Sequence, residues 1–370
     1  MSETITIPWW NLDLGDAAIE QVTAAMRARQ VSQGVLTARF EQALAERLGI
    51  AHAVCTNSGT AALTLAMMAC GIGPGDELVM PNRTWVATAN AALILGATVR
   101  PVDSRPGTML IDADRIEAAI GPATRALVPV SLNGAALDME RINAIAARHG
   151  LSVIEDSCQS LFSQSRDGRC LGTKARFGCF SLGMAKSLTT GAGGVVVCAD
   201  ADDARLLRRI RNQGMSEYDL SERHGVRAWN FKFTDLQAAV GLAQLPRLEA
   251  RIANQRDLHR LYRDGLAGIG CLRLLPVDVD AGEVPLRAEV LCSERSAFMA
   301  ALAEQGIGTC AQTPNLADYP FIGADPARFP LSRAYGDGNL VLPSGPDQPL
   351  DNARRTVETI RRLAGRFKDL

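Results

Sequence analysis

Between about residues 50 and 200 the chain alternates short apolar runs with stretches whose apolar positions recur every three to four residues. AHAVCTN reads as a strand and AALTLAMMACG as a helix ending at Gly71; DELVMPN then TANAALILG, TVRPVD then DADRIEAAIG, and TRALVPVS then DMERINAIAARHG repeat the pairing, and the strand LSVIEDS closes the series. The strand runs are apolar on both faces and separated by helices, which predicts an α/β fold: a largely parallel central sheet covered by helices on both sides. FGCFS and GVVVCAD add two strand candidates around the run SLGMAKSLTTGAGG. Downstream the pattern changes. DADDARLLRRIRNQG is helical, and TDLQAAVGLAQLPRLEARIANQRDLHRLYRDGL is a long helical pattern interrupted by Pro246, a position for a hinge because proline lacks the N–H a helix interior needs. The remainder mixes strands such as AEVLCS with helices such as ERSAFMAALAEQG and DNARRTVETIRRLAGRF. The expected organisation is therefore a large domain over residues 1–245, the N-terminal segment included, and a smaller C-terminal α+β domain over 246–370.

Length agrees, since 370 residues exceed what one core of about 250 to 300 residues accommodates. Hydrophobic residues at 47% and charged ones at 21% are ordinary globular values. A net charge of -1 gives no electrostatic reason to expect nucleic acid or an anionic membrane, so a small-molecule partner is expected. The arginine-rich last helix does not alter this, because its charges are interspersed with Val, Ile and Leu as on a solvated amphipathic face. No apolar run approaches the roughly 18 residues of a membrane span, and MSETITIPWW lacks the basic start of a signal peptide; the expected location is the cytoplasm. Nine scattered cysteines without a C-x-x-C pair, and four histidines, argue against a metal site and for buried free thiols.

In open parallel sheets ligands bind beyond the carboxyl ends of the strands. Four such places hold unusual groups. Ser58-Gly59-Thr60 opens a helix, where unpaired N–H groups and a close-approaching glycine suit an anion such as phosphate, although the same residues suit a plain N-cap. LSVIEDS ends in Glu155 and Asp156, which point to opposite faces, so one of them meets any ligand there. An acid at that point is suited to hold magnesium, to cap a helix or to pair with a protonated ring nitrogen. Trp85, at the start of the helix that follows DELVMPN, is placed to stack on a flat ligand, although burial in the core is the commoner fate of tryptophan. Lys186 sits in the glycine-flanked run with no carboxylate beside it. A P-loop reading of GCFSLGMAKS fails because Ala185, not glycine, precedes the lysine, and no G-x-G-x-x-G follows the first strand. One ligand unifies the four places: pyridoxal phosphate, with its phosphate at the SGT helix start, its ring nitrogen on Asp156, one face under Trp85, and its aldehyde on Lys186 as a Schiff base. Lys186 is accordingly expected inside, with its amine pKa lowered by burial.

SGTAAL at 58–63, GIGPGDEL at 71–78, IED at 154–156, Gln159, SLTTGAGG and WNFKFTDLQAAVGLAQL at 229–245 together resemble the sugar aminotransferases of the DegT/DnrJ/EryC1/StrS group, of fold type I among pyridoxal phosphate enzymes. The likeness runs from Arg39 to Leu245, with a weaker match at LVLPSGP, 340–346. The resemblance implies Gln159 on the ring beside Trp85, and Gly59, Thr60 and Ser181 on the phosphate. It also implies that Asn230 reaches that phosphate from a neighbouring subunit, hence a homodimer. The implied reaction takes the amino group of glutamate through pyridoxamine phosphate to a keto sugar, usually a nucleotide-linked 4-keto-6-deoxyhexose, with Lys186 moving the proton. SLNGA at 131–135, Ala192 and NFKFTD depart from common family forms, which leaves a cyclitol aminotransferase as the runner-up. Relatives that work as dehydratases carry histidine in place of the lysine, so Lys186 favours transamination. A non-catalytic scaffold is the remaining alternative, disfavoured because both Lys186 and Asp156 are retained.

Overall fold

The computed structural model describes residues 5–215, 225–311 and 314–370. Seven strands form the main sheet: β1 His52–Thr56, β2 Glu77–Pro81, β3 Thr98–Val102, β4 Thr124–Leu127, β5 Ser152–Asp156, β6 Phe177–Ser181 and β7 Gly194–Cys198. Their order is β1-β7-β6-β5-β4-β2-β3. β2 to β6 pair in parallel, whereas β7 runs antiparallel to both β6 and β1. The reversal of β7 follows from its connection. A parallel partner needs a crossover, usually helical, whereas residues 182–193, the run that carries Lys186, form a helix-free loop turning straight back.

Alternation along each strand divides its residues between the two faces. Val54, Ile154, Cys179 and Val196 join the core under the helix Gly59–Ala69, which is buried nearly all round. Cys55, Phe180, Val195 and Val197 pack on the opposite face against Phe40, Leu44 and Phe233. Backbones approach so closely between β6 and the loop before it that a Cβ on Gly178 would fall 1.7 Å from the carbonyl oxygen of Gly172. Gly178→Ala therefore requires backbone movement in the sheet centre, and we expect a loss of at least about 3 kcal/mol, read as a lowered urea midpoint of the full chain.

A second sheet contains β8 Leu272–Leu274, β9 Ala288–Cys292, β10 Cys310–Ala311 and β11 Asn339–Leu342, in the antiparallel order β10-β11-β9-β8. Leu258 and Tyr262 from the helix Leu248–Gly265, Phe298 from Arg295–Ala303 and Ile360 from Leu350–Leu363 cover it, with Val290 and Leu340 from its strands. Pro246 lies in a single 3-10 turn, Leu245–Arg247, that joins Asp235–Gln244 to Leu248–Gly265. The latter helix packs Leu248 and Ile252 into the core of the large sheet and Leu258 and Tyr262 into that of the small one. Ile7 and Trp10, although first in the chain, bridge to Ile307 and Ser344 and so sit with the small sheet. The buried Arg251 ties these parts together: it bonds Asp347 at 2.8 Å, the Gln244 side chain at 2.8 Å and the Asp13 carbonyl at 2.6 Å. Among the described residues, no helix is long and apolar enough to cross a membrane. All nine cysteines are free.

Candidate active site

The carboxyl ends of β1, β5 and β6 converge on a cavity of about 340 Å³ whose wall includes Gly59, Thr60, Trp85, Asp156, Gln159, Ser181 and Lys186. Ser58 N-caps the helix Gly59–Ala69, its Oγ accepting from the Ala61 N–H at 3.0 Å. The capping reading of this motif is thus correct for Ser58, and it coexists with an open helix start, because the N–H groups of Gly59 and Thr60 have no partner within the helix. Ser181, at the end of β6, lies so close that a Cβ on Gly59 would be 2.8 Å from the Ser181 Cβ. A Cβ on Gly194 would be 2.3 Å from the Ser58 carbonyl oxygen. Small residues at these points bring the helix start and two strand ends into contact.

The two acids ending β5 separate as alternation requires. Glu155 points away from the cavity and accepts from the Gly172 and Lys174 N–H groups at 2.8 and 2.7 Å, with burial pushing its carboxyl up. Asp156, 3% exposed, lines the cavity. Its Oδ2 accepts from Thr88 Oγ1 at 2.7 Å and its Oδ1 from the Cys158 N–H at 3.1 Å, while Thr88 in turn shares a 2.9 Å hydrogen bond with Thr84. Both threonines also line the cavity. Trp85, the residue that caps Val86–Leu93, is not in the core: half of it is exposed, and it faces the cavity.

The Lys186 loop is held at its ends. Leu182 N–H donates to Gly193 O at 2.8 Å, Thr190 N–H and Thr189 Oγ1 donate to Leu182 O at 2.9 and 3.0 Å, and Gln244 Nε2 donates to Thr189 O at 2.5 Å. Leu182 and Leu188 anchor it in the core. Between these anchors Lys186 turns into the cavity wall and forms no ion pair with any described residue. Burial first, and then the positive charge of Arg287, lower its amine from the ordinary 10.5 to about 8, with Cys158 and Asp156 pulling the other way. A lowered amine pKa means that the neutral form accumulates as pH rises through about 8 rather than through the range of a free lysine. Acylation of the protein without added cofactor, followed at Lys186 by mass spectrometry, should rise half-maximally near pH 8; a half-point near 10 would contradict the burial.

Gln159 lines the cavity and accepts from the Asn133 N–H at 3.1 Å through Oε1. Asn230 is exposed and lies outside the cavity of its own chain, accepting from the Lys232 N–H at 3.3 Å. Ala192 and Gly193 complete the rim, with the Ala192 carbonyl accepting from Thr190 Oγ1 at 2.6 Å and Gln237 Nε2 at 2.7 Å. Two side chains not singled out from the sequence matter here. Thr88 orients Asp156; the four-residue spacing from Thr84 was its only local sign. Arg287 enters the wall from the segment before β9, and the single cation within VPLRAEVLC was the available signal.

The family model for DegT/DnrJ/EryC1/StrS aminotransferases matches residues 13–361. GDP-perosamine synthase of Caulobacter vibrioides is 40% identical over 241 residues, which are 65% of this chain and 64% of that protein, so the match spans slightly less than two thirds of the relative. Spore coat polysaccharide biosynthesis protein SpsC of Bacillus subtilis is 32% identical over 369 residues, with 94% of each chain covered. Among solved structures, S. venezuelae DesV in complex with a ketimine intermediate superposes with a TM-score of 0.91 at 30% identity, covering 98% of this chain and 99% of that one. Matched across nearly its whole length in sequence and in fold, the chain belongs to the DegT/DnrJ/EryC1/StrS aminotransferase family.

Proposed function

We propose that this aminotransferase uses pyridoxal phosphate to move the amino group of glutamate to a keto sugar, a nucleotide-linked 4-keto-6-deoxyhexose. The observation that carries the reading is Lys186: a part-buried amine with a lowered pKa and no ion-pair partner among the described residues, in one cavity with Asp156. The residues present fit the cofactor. Gly59, Thr60 and Ser181 gather at an open helix start suited to its phosphate. Asp156, fixed by Thr88, offers a carboxylate to its ring nitrogen, and the exposed half of Trp85 and the Gln159 side chain flank the ring position. When bound, pyridoxal phosphate supplies an aldehyde that condenses with amines and a protonated ring that draws off electrons.

The chain's own residues then have distinct tasks. Lys186 Nζ offers a covalent attachment and, with a pKa near 8, takes and returns a proton at the reacting carbon near neutral pH. Asp156 holds the ring nitrogen's proton in place by its charge. Trp85 shields one face from water. The nucleotide link is supported by the GDP-perosamine synthase match, transferred here as a proposal. We propose further that Asn230, exposed beside Trp229, reaches the phosphate site of a second copy in a homodimer. The two sheets support a division into domains at residues 245 and 246, and the nine free cysteines fit a cytoplasmic location.

Amino transfer from glutamate to a panel of nucleotide-linked keto sugars, with a keto-inositol as contrast, tests the reading. Transfer to one or more of the keto sugars is expected. Transfer to the keto-inositol alone would make the protein a cyclitol aminotransferase, and the absence of transfer to any acceptor, with cofactor added, would reject catalysis.

A further inference from the structure

Beside the cavity lies a recess of about 10 Å³, the size of one water-sized group, which shares Thr84, Trp85 and Gln159 with the cavity wall and adds Arg83, Met109 and Glu289. Its two charged residues have no part in the functions above. Both are buried, Arg83 at 4% exposure and Glu289 at 3%. Arg83 Nη1 donates to Asn315 Oδ1 at 3.3 Å. Asn339 Nδ2 donates to Glu289 Oε2 at 3.1 Å and to Met109 Sδ at 3.7 Å, so one buried amide holds two of the recess residues in place. Glu289 Oε1 is not engaged in this way: it faces Arg287 Nη1 at 3.7 Å, too long for a hydrogen bond. Glu289 is also the carboxylate that acts most strongly on both Arg83 and Arg287, so one acid is shared between two buried guanidiniums. A buried carboxylate oxygen without a donor is costly, and a recess at its side invites one.

We propose that this recess is a subsite for one hydroxyl of the acceptor sugar, the hydroxyl next to its carbonyl, an inference that rests on the amino-transfer reading of the cavity. Size excludes a carboxylate or a phosphate, which bring several heavy atoms where one water-sized group fits. Charge excludes an ammonium, since two guanidiniums stand against one carboxylate. A methyl group or a hydrogen would leave the buried carboxylate oxygen unmatched. A hydroxyl both donates and accepts, and so serves the Glu289 carboxylate and the Arg83 guanidinium at once. Position assigns it to the sugar. Trp85 and Gln159 flank the place proposed for the cofactor ring, so the group that enters beside them belongs to the substrate reacting there. Glutamate carries no hydroxyl, whereas a keto sugar carries one beside its carbonyl.

The test compares wild-type holoenzyme with E289Q and M109F, using the nucleotide-linked keto sugar that the wild type binds most tightly and the analogue of that sugar without the hydroxyl next to the carbonyl. In the wild type the analogue should lose about a hundredfold in kcat/KM for amino transfer from the enzyme to the sugar. E289Q removes the charge that receives the hydroxyl proton and should narrow that ratio to about tenfold or less. M109F extends a ring toward the recess and alters neither charge; it should disfavour the hydroxyl sugar alone and bring the ratio near one. Each ratio is taken within one protein, so a general loss of activity or stability cancels. Calorimetry with the same pair of sugars reads the preference without amino transfer. An analogue handled like the parent sugar by the wild type, or a ratio unchanged in both variants, would overturn the proposal and leave the amino-transfer reading intact. A wild type that binds the hydroxyl sugar in preference to its analogue, loses that preference in E289Q and yet passes an amino group to no sugar would sink the amino-transfer reading and leave the hydroxyl subsite standing.

Discussion

Lys186→Met lowers amino transfer by about 10⁴-fold or more, because it removes the covalent attachment and the proton carrier together while keeping the side chain's length. The same variant keeps its fold. The native amine has a pKa of about 8 against an ordinary 10.5, so the folded protein disfavours the protonated form. Stability from the neutral amine is complete above 10.5 and is lost as pH falls toward 8, below which the full penalty of the buried charge remains. The methionine variant carries no such penalty. Its melting temperature at pH 7 is therefore expected to equal or exceed that of wild type, with the difference shrinking as pH rises above 8. Activity lost together with stability would mean that Lys186 is chiefly a packing residue.

Asp156→Asn is expected to lower kcat by about 10³-fold with little change in melting temperature. The asparagine keeps the shape and retains an oxygen to accept from the Cys158 N–H, and the Thr88 hydroxyl, already shared with Thr84, is free to turn toward an amide. What disappears is the negative charge that would hold a ring proton. Steady-state kinetics with glutamate as donor decide the matter. A loss below tenfold would leave Asp156 with only the local role of accepting from the Cys158 N–H and Thr88.

The strands and helices around the site were legible because buried parallel strands are apolar on both faces and their crossover helices carry their own period. The reversed direction of β7 was not legible, since GVVVC reads the same whichever way it runs and only the helix-free loop before it decides. Nor was the allegiance of Ile7 and Trp10 to the small sheet, because two isolated bridges leave no periodic mark. At the site, the strand-end rule led to Asp156, Trp85, Lys186 and the SGT helix start, all of which line one cavity. Gln159 and Ser181 came from family likeness and line it too. Arg287 escaped because it arrives from a segment about a hundred residues after Lys186, where no local pattern tells which cavity a lone arginine faces.

The chain has only four lysines, at positions 174, 186, 232 and 368, so the attachment point of the cofactor is directly measurable. Holoenzyme reduced with borohydride and mapped by peptide mass spectrometry should carry the pyridoxyl phosphate adduct on Lys186. An adduct on Lys174, Lys232 or Lys368 instead, or no covalent adduct at all, would contradict the assignment of that buried amine.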